Sequence, residues 1–326
     1  MTRRPAEPSR GLLGAGLVAL AAVCFGTLGP LTRFADDAGV GSLALVAWRA
    51  ALGATVMLVL LVVLRGIADR RPHLLRDVSP RERAFALAGG MANLVLNLAM
   101  FVAFLRIEIG LSLLVFYCYP AIVAGASVLW FRERLGLVRW SALGVSLLGL
   151  VLTLTGSGGP SSGGLGELDA LGIGLSFLAA FTQAFYVLAA RHGFAGIPPI
   201  EAAATTMGLA ALGYVAIAIL TGQLSAFAAP LASGQALLPV ILAGLVGAAI
   251  PTLCFITGIR LLGASRAAIL ATLEPVVGVA LAAWLLGEQP GPLQLAGGAL
   301  VLVSAVVLQL GPGDTVADHE AVGTRQ

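Results

Sequence analysis

Glu274 is a carboxyl group in the middle of an apolar run, AILATLEPVVGVALAAWLLGE, with Pro275 directly after it. If that run crosses a bilayer, an ionisable side chain there costs from ~3 kcal/mol upward and so has to be accounted for. Two accounts are open. The carboxyl holds a solute amine or exchanges a proton, or it is a neutral acid bonded to another helix that steadies the kink made by the proline. Pro275 removes a backbone donor and frees a carbonyl beside it, while Ala267, Ala271 and Gly278 on the same helical face leave room. The second charge inside an apolar run is Arg49, in WRAALGA. It lies about seven residues from the nearer end of its run, a depth of ~10 Å at the helical rise. A head reaching the interface beside Trp48 and a fixed cation that holds a carboxylate both fit that depth.

Uncharged polar groups recur at helical spacing. Asn93 and Asn97 share a face that continues through Met100 and Phe104, and Ser112, Phe116 and Tyr119 share another, with Tyr117 adjacent. Thr182, Gln183 and Tyr186 lie in a later run, and Thr252 follows Pro251. Donors and acceptors among aromatic rings suit a pocket for a partly apolar, zwitterionic solute, and they equally suit hydrogen bonds between helices. The substrate-contact set expected from this reasoning is Glu274, Arg49, Asn93, Tyr119, Gln183 and Tyr186, with Pro120, Pro275 and Pro251 as hinges or helix breaks.

Catalysis finds no support. His73, His192 and His319 are scattered, and no metalloprotease or phosphate-loop pattern occurs. Neither a cofactor nor a metal is expected. Cys24, Cys118 and Cys254 lie in apolar runs without ligand spacing and read as small buried hydrophobes. A channel would carry a filter or rings of like charge, and none is visible.

The elements that must position these groups follow from composition. Of 326 residues 59% are hydrophobic and 11% charged, and the mean hydropathy is +0.98. Such a chain belongs in a bilayer. Its 42 glycines suit helices that approach closely in lipid. The net charge of +3 is no nucleic-acid signature, because the arginines sit in short loops rather than on one face. Ten windows are long enough to span: Leu12–Thr32, Ser42–Leu64, Ala84–Leu105, Ile109–Phe131, Val138–Thr155, Asp169–Ala190, Ile200–Leu220, Leu237–Ile259, Ala264–Leu286 and Leu293–Leu310. The sequence therefore divides into an N-terminal segment 1–11, five spans over 12–155, a Gly/Ser-rich linker 156–168, five spans over 169–310 and a polar tail 311–326.

The two sets of five are related. An offset of 155 residues lays Pro120 on Pro275, Glu133 on Glu288 and Gly136 on Gly291, the mark of an internal duplication. Sixteen of the 19 arginines fall before span 1, in alternate loops or in the tail, which places both termini in the cytoplasm. Five is odd, so the second half crosses in the opposite sense. Glu133, flanked by Arg132 and Arg134, then lies inside and Glu288 outside, as interfacial charges or as members of two gates whose salt bridges change between states. Trp130 and Trp284 near those ends suit an aromatic belt.

With its two halves and the segments YPAIVAGASVLWFRERLG and EPVVGVALAAWLLGEQPG, the chain resembles the EamA-type members of the drug/metabolite transporter superfamily over roughly residues 12–310. The first half departs from the pattern in having Tyr-Pro where the second has Glu-Pro. The resemblance implies an all-α inner-membrane carrier of small organic solutes, monomeric or homodimeric, often an exporter of amino acids or related metabolites. Carriers of drugs, amines or nucleobases on the same fold are the alternative, followed by a non-transporting membrane protein. Arg49 resembles an arginine that the family often carries there.

Overall fold

The computed structural model describes residues 8–67, 78–106, 109–131, 136–155, 169–194, 196–286 and 291–310. The two expected gate residues, Glu133 and Glu288, lie outside the described residues, as do most of the N-terminal segment, the whole linker and the whole tail.

The described residues are all-helical. In chain order the α-helices are α1 (Pro8–Gly26), α2 (Leu28–Asp37), α3 (Ser42–Ile67), α4 (Pro80–Arg106), α5 (Ile109–Phe116), α6 (Tyr119–Leu129) and α7 (Leu137–Thr155). They continue as α8 (Ala170–Leu188), α9 (Pro199–Leu220), α10 (Gly234–Gly244), α11 (Ile250–Leu262), α12 (Ala264–Ala271), α13 (Leu273–Leu286) and α14 (Pro292–Leu310). Helix occupies every one of the ten predicted windows. By length and apolar composition, seven stretches among the described residues qualify to cross a membrane, and three more apolar helices, Tyr119–Leu129, Leu137–Leu152 and Leu295–Ser304, are shorter.

Three windows expected as single spans are divided, and one rule explains all three. Proline lacks the N–H that would bond the carbonyl four residues back, and its ring clashes with that carbonyl. Counting back four from Pro30, Pro120 and Pro275 gives Gly26, Phe116 and Ala271, which are the last residues of α1, α5 and α12. At each break a tighter turn takes over, with the N–H of Thr27, Cys118 and Thr272 bonding the carbonyl three residues back at 3.2, 3.1 and 3.1 Å. Pro251 acts differently. It stands at the start of α11, after a widened turn over Leu245–Ala249 that joins α10 to α11 without a break.

The starts of the helices are written in their caps. Ser79 and Glu82 form a reciprocal box at the start of α4, with Pro80 as its first residue. The Asp169 carboxylate accepts from the N–H of Leu171 and Gly172 at the start of α8.

Packing follows the duplication. Writing the predicted spans as 1–10, span 1 packs on span 8 (α1 on α11) and span 6 on span 3 (α8 on α4), an arrangement that maps onto itself when the halves are exchanged. Spans 2 and 7 pair as α3 with α9, and spans 5 and 10 as α7 with α14. The last pair is close because Gly149 bares its backbone: a Cβ there would lie 2.7 Å from the Gly297 carbonyl oxygen. Large apolar side chains such as Val59, Leu212 and Leu302 are exposed on the outside, as a lipid-facing surface requires. Trp130 and Trp284 stand 78% and 79% exposed at the ends of their helices, where an aromatic belt would place them.

Contacts between loops sort them into two sets. Glu82 in the first turn of α4 accepts from Gly196 N–H after α8, His192 stacks on Phe131 at 3.8 Å, and Arg191 donates to the Arg260 carbonyl. Arg106 pairs with Asp169 at 2.7 Å, joining the end of span 3 to the start of span 6. Trp48 near the start of span 2 bonds the Phe227 carbonyl in the connection after α9. Each contact joins loops that the arginine distribution assigns to one side.

Candidate functional site

The helix breaks border a cavity of about 160 Å³. Arg49 and Asn93, Asn97 of α4 form part of its wall, Gln183 and Tyr186 of α8 another, and Glu274 sits at the start of α13. Phe25, Phe116 and Phe255 supply aromatic surface, and Met207, Ala210 and Tyr214 of α9 complete it with Gly247, Ala248 and Thr252. Spans 1, 2, 3, 4, 6, 7, 8 and 9 thus all contribute to the wall. Polar and charged groups alternate with aromatic and small apolar surface around the wall, so the site can orient a partly polar small molecule.

Arg49 is fixed by a relay of amides. Its Nη2 donates to Asn97 Oδ1 at 2.8 Å, and Asn97 Nδ2 donates in turn to Asn93 Oδ1 at 2.6 Å and to the Asn93 carbonyl at 2.8 Å. The i, i+4 spacing of the asparagines makes the relay possible. Of the two positions open to this side chain, the structure has the head inward on the cavity. A guanidinium offers five donors in a planar fork. One is committed to Asn97, so the fork retains donors for a planar anion.

Glu274 reaches the same cavity from the other charge sign. The Tyr117 hydroxyl lies beside its carboxyl group, and Arg49 is within electrostatic reach. Among the described residues no ion pair closes between Arg49 and Glu274, so the two charges share the space without quenching each other directly. The end of α1 packs closely here: a Cβ on Gly26 would fall 2.8 Å from Val277 Cγ1 and 3.1 Å from the Glu274 carbonyl oxygen.

Four of the residues expected from sequence as neighbours of Glu274 line the cavity with it: Arg49, Asn93, Gln183 and Tyr186. Tyr119 does not. It is 1% exposed and lies behind the wall beside Gln183, while Phe116 one turn earlier meets the cavity. Pro120 is buried beside it. Ser112 shares a 2.8 Å hydrogen bond with Ser176 and ties α5 to α8, and Thr182 bonds back to its own helix.

Tyr214 is the polar lining residue that sequence reasoning passed over. It is 2% exposed, and its hydroxyl is shielded from solvent without a hydrogen-bond partner. A buried, unsatisfied donor of this kind costs about 1–3 kcal/mol. A tyrosine in an apolar helix gives no signal of its own; only the packing of α9 on α3 brings it to Arg49.

Comparison with known proteins agrees with the fold. A solved crystal structure superposes with a TM-score of 0.76, covering 92% of this chain and 96% of its own at 20% identity. An uncharacterized transporter of Archaeoglobus fulgidus is 25% identical over 295 residues, 90% of this chain and 95% of the relative. An uncharacterized transporter of Synechocystis sp. is 26% identical over 227 residues, 68% of this chain, and the match spans 65% of that relative's length. The EamA-like transporter family matches twice, over residues 12–155 and 170–310. The chain therefore belongs to the EamA-like transporter family, within the drug/metabolite transporter superfamily, and is a multi-pass membrane protein built from two EamA repeats.

Proposed function

We propose that the protein is a secondary carrier of the inner membrane that exports a small zwitterionic metabolite, an amino acid or a close relative, by alternating access. In this reading ten spans form two inverted five-span halves with both termini cytoplasmic. The division into 12–155 and 169–310 is the functional one, and the halves rock about Pro120 and Pro275 around the solute. The observation that carries the reading is that Arg49 and Glu274, two opposite charges set deep within apolar runs, open onto one small cavity bordered by helix breaks. A guanidinium and a carboxyl with aromatic rings between them match the carboxylate, ammonium and side chain of a zwitterion. The pairing of loops across the repeat supports the inverted arrangement, since each contact joins loops assigned to one face. Glu133 and Glu288 are assigned to the inner and outer gates on the duplication alone.

The test is exchange in proteoliposomes preloaded with mixed unlabelled amino acids, followed with labelled solutes at two pH gradients. Uptake restricted to particular amino acids is expected. Silence across amino acids, from protein shown to be folded, would defeat the zwitterion reading.

A further inference from the structure

We infer that Tyr214 is a specificity-determining residue, and that with Arg49 it forms a subsite for the carboxylate of the transported solute. The inference rests on reading the cavity as the transport site. Three observations on different elements carry it. Tyr214 lines the same cavity as Arg49 and Asn97, arriving on α9 while they come from α3 and α4. Its hydroxyl is 2% exposed as a residue and has no hydrogen-bond partner, so it is a donor held in place with nothing to donate to. The guanidinium beside it is anchored through one nitrogen, Nη2 to Asn97 Oδ1 at 2.8 Å, and that anchor is itself oriented by Asn93.

A carboxylate has two oxygens with about four acceptor sites and no donor. One oxygen can take the free edge of the Arg49 fork and the other the Tyr214 hydroxyl, and both bonds are charge-assisted. An amine lacking the carboxyl offers neither acceptor. It would leave the hydroxyl unpaired and the guanidinium facing a second cation, so the subsite selects for acids as well as binding them. Of the other titratable groups at the site, Tyr117 lies beside Glu274, and Tyr186, whose hydroxyl also lacks a hydrogen-bond partner, stands on the α8 side, away from the α3–α9 contact that brings Tyr214 to Arg49. The carboxylate end of the solute is thereby set at Arg49 and Tyr214, and the ammonium end at Glu274.

The experiment uses purified full-length protein and reads ligand-induced thermal stabilisation, with the standard α-amino acids as probes, each paired with the amine that lacks its carboxyl. For the wild type, acids are expected to stabilise at concentrations about 100-fold below their amines, the worth of two charge-assisted hydrogen bonds. In Tyr214→Phe, which removes one oxygen and keeps the ring, the apparent Kd of the acid should rise about 10-fold while that of the amine stays within about 2-fold. Equal shifts for acid and amine, or no shift for the acid, would overturn the role of Tyr214. A wild type that binds amines as tightly as acids would overturn the subsite without any variant having to fold, and would leave the cavity standing as a binding site. Binding of neither class would overturn the transport-site reading together with this inference.

Discussion

The two proline-broken helices at the heart of the molecule share a backbone and differ in chemistry. Pro120 and Pro275 are related by the 155-residue repeat, and each ends the preceding helix four residues back, at Phe116 and Ala271. The same offset carries Tyr117 to Thr272 and Tyr119 to Glu274. In the first half both tyrosines are almost fully buried behind the cavity wall, beside Gln183 and Glu274. In the second half Glu274 stands on the cavity, while the Thr272 hydroxyl turns back to the Ile269 carbonyl at 2.7 Å. The break is therefore a scaffold device present in both halves. The charge is present in one, and a pseudo-symmetric frame holds an asymmetric site.

Substitutions at the breaks can test that division. The largest effect is expected at the charge: Glu274→Gln should cut exchange on the order of 10- to 100-fold, whereas Thr272→Val, which removes a hydroxyl bonded within its own helix, should change it by less than about 2-fold. Equal losses in proteoliposome exchange would erase the distinction between scaffold and chemistry. Next come the prolines. Alanine at either position restores the missing N–H and lets α5 run on into α6, or α12 into α13. Pro120→Ala and Pro275→Ala should therefore slow exchange several-fold and to a similar degree, with solute Kd little altered. A slowing confined to one of them would mean that only one break moves.

The smallest effect lies away from both breaks, at the Arg106–Asp169 pair. Desolvation pushes the Asp169 carboxyl upward, but the hydrogen bond from Arg106, the N–H of Gly172, the charge of Arg106 and the N–H of Leu171 outweigh it, and the group titrates below its ordinary range. A carboxyl lowered by folding adds stability above its unfolded pKa of about 3.9 and loses it as pH falls through the folded value. Thermal stability should thus decline slightly further between pH 5 and acid conditions in the wild type than in Asp169→Asn. Parallel curves would show that the pair contributes nothing.

Much of this was legible because membrane helices make polar residues conspicuous. Glu274 stood out by being charged in an apolar run, the repeat stood out through a proline and a glutamate at one offset, and Asn93 and Asn97 by their four-residue spacing. What sequence left open was decided by contacts between distant helices. Arg49 had two positions equally compatible with its depth, and Asn97 on another helix selects the inward one. Tyr119 shared a helical face with Phe116 only while the helix was taken as continuous; the break at Tyr117 and Cys118 turns it behind the wall. The break before Pro30 went unread because the offset places Phe185, not proline, opposite it. Tyr214 was invisible for a simpler reason. A lone aromatic in a hydrophobic helix is ordinary until its neighbours are known.

The most direct test of the central claim asks whether the transported solute occupies the cavity. Thr252 lines it and tolerates a thiol of nearly the same size. With Cys24, Cys118 and Cys254 replaced by alanine, T252C protein in proteoliposomes would be treated with a maleimide with and without solute. The account predicts that the exchanged amino acid slows alkylation in proportion to its occupancy, and that alkylation abolishes exchange. Full exchange after complete modification, or alkylation indifferent to saturating solute, would place the transport site elsewhere.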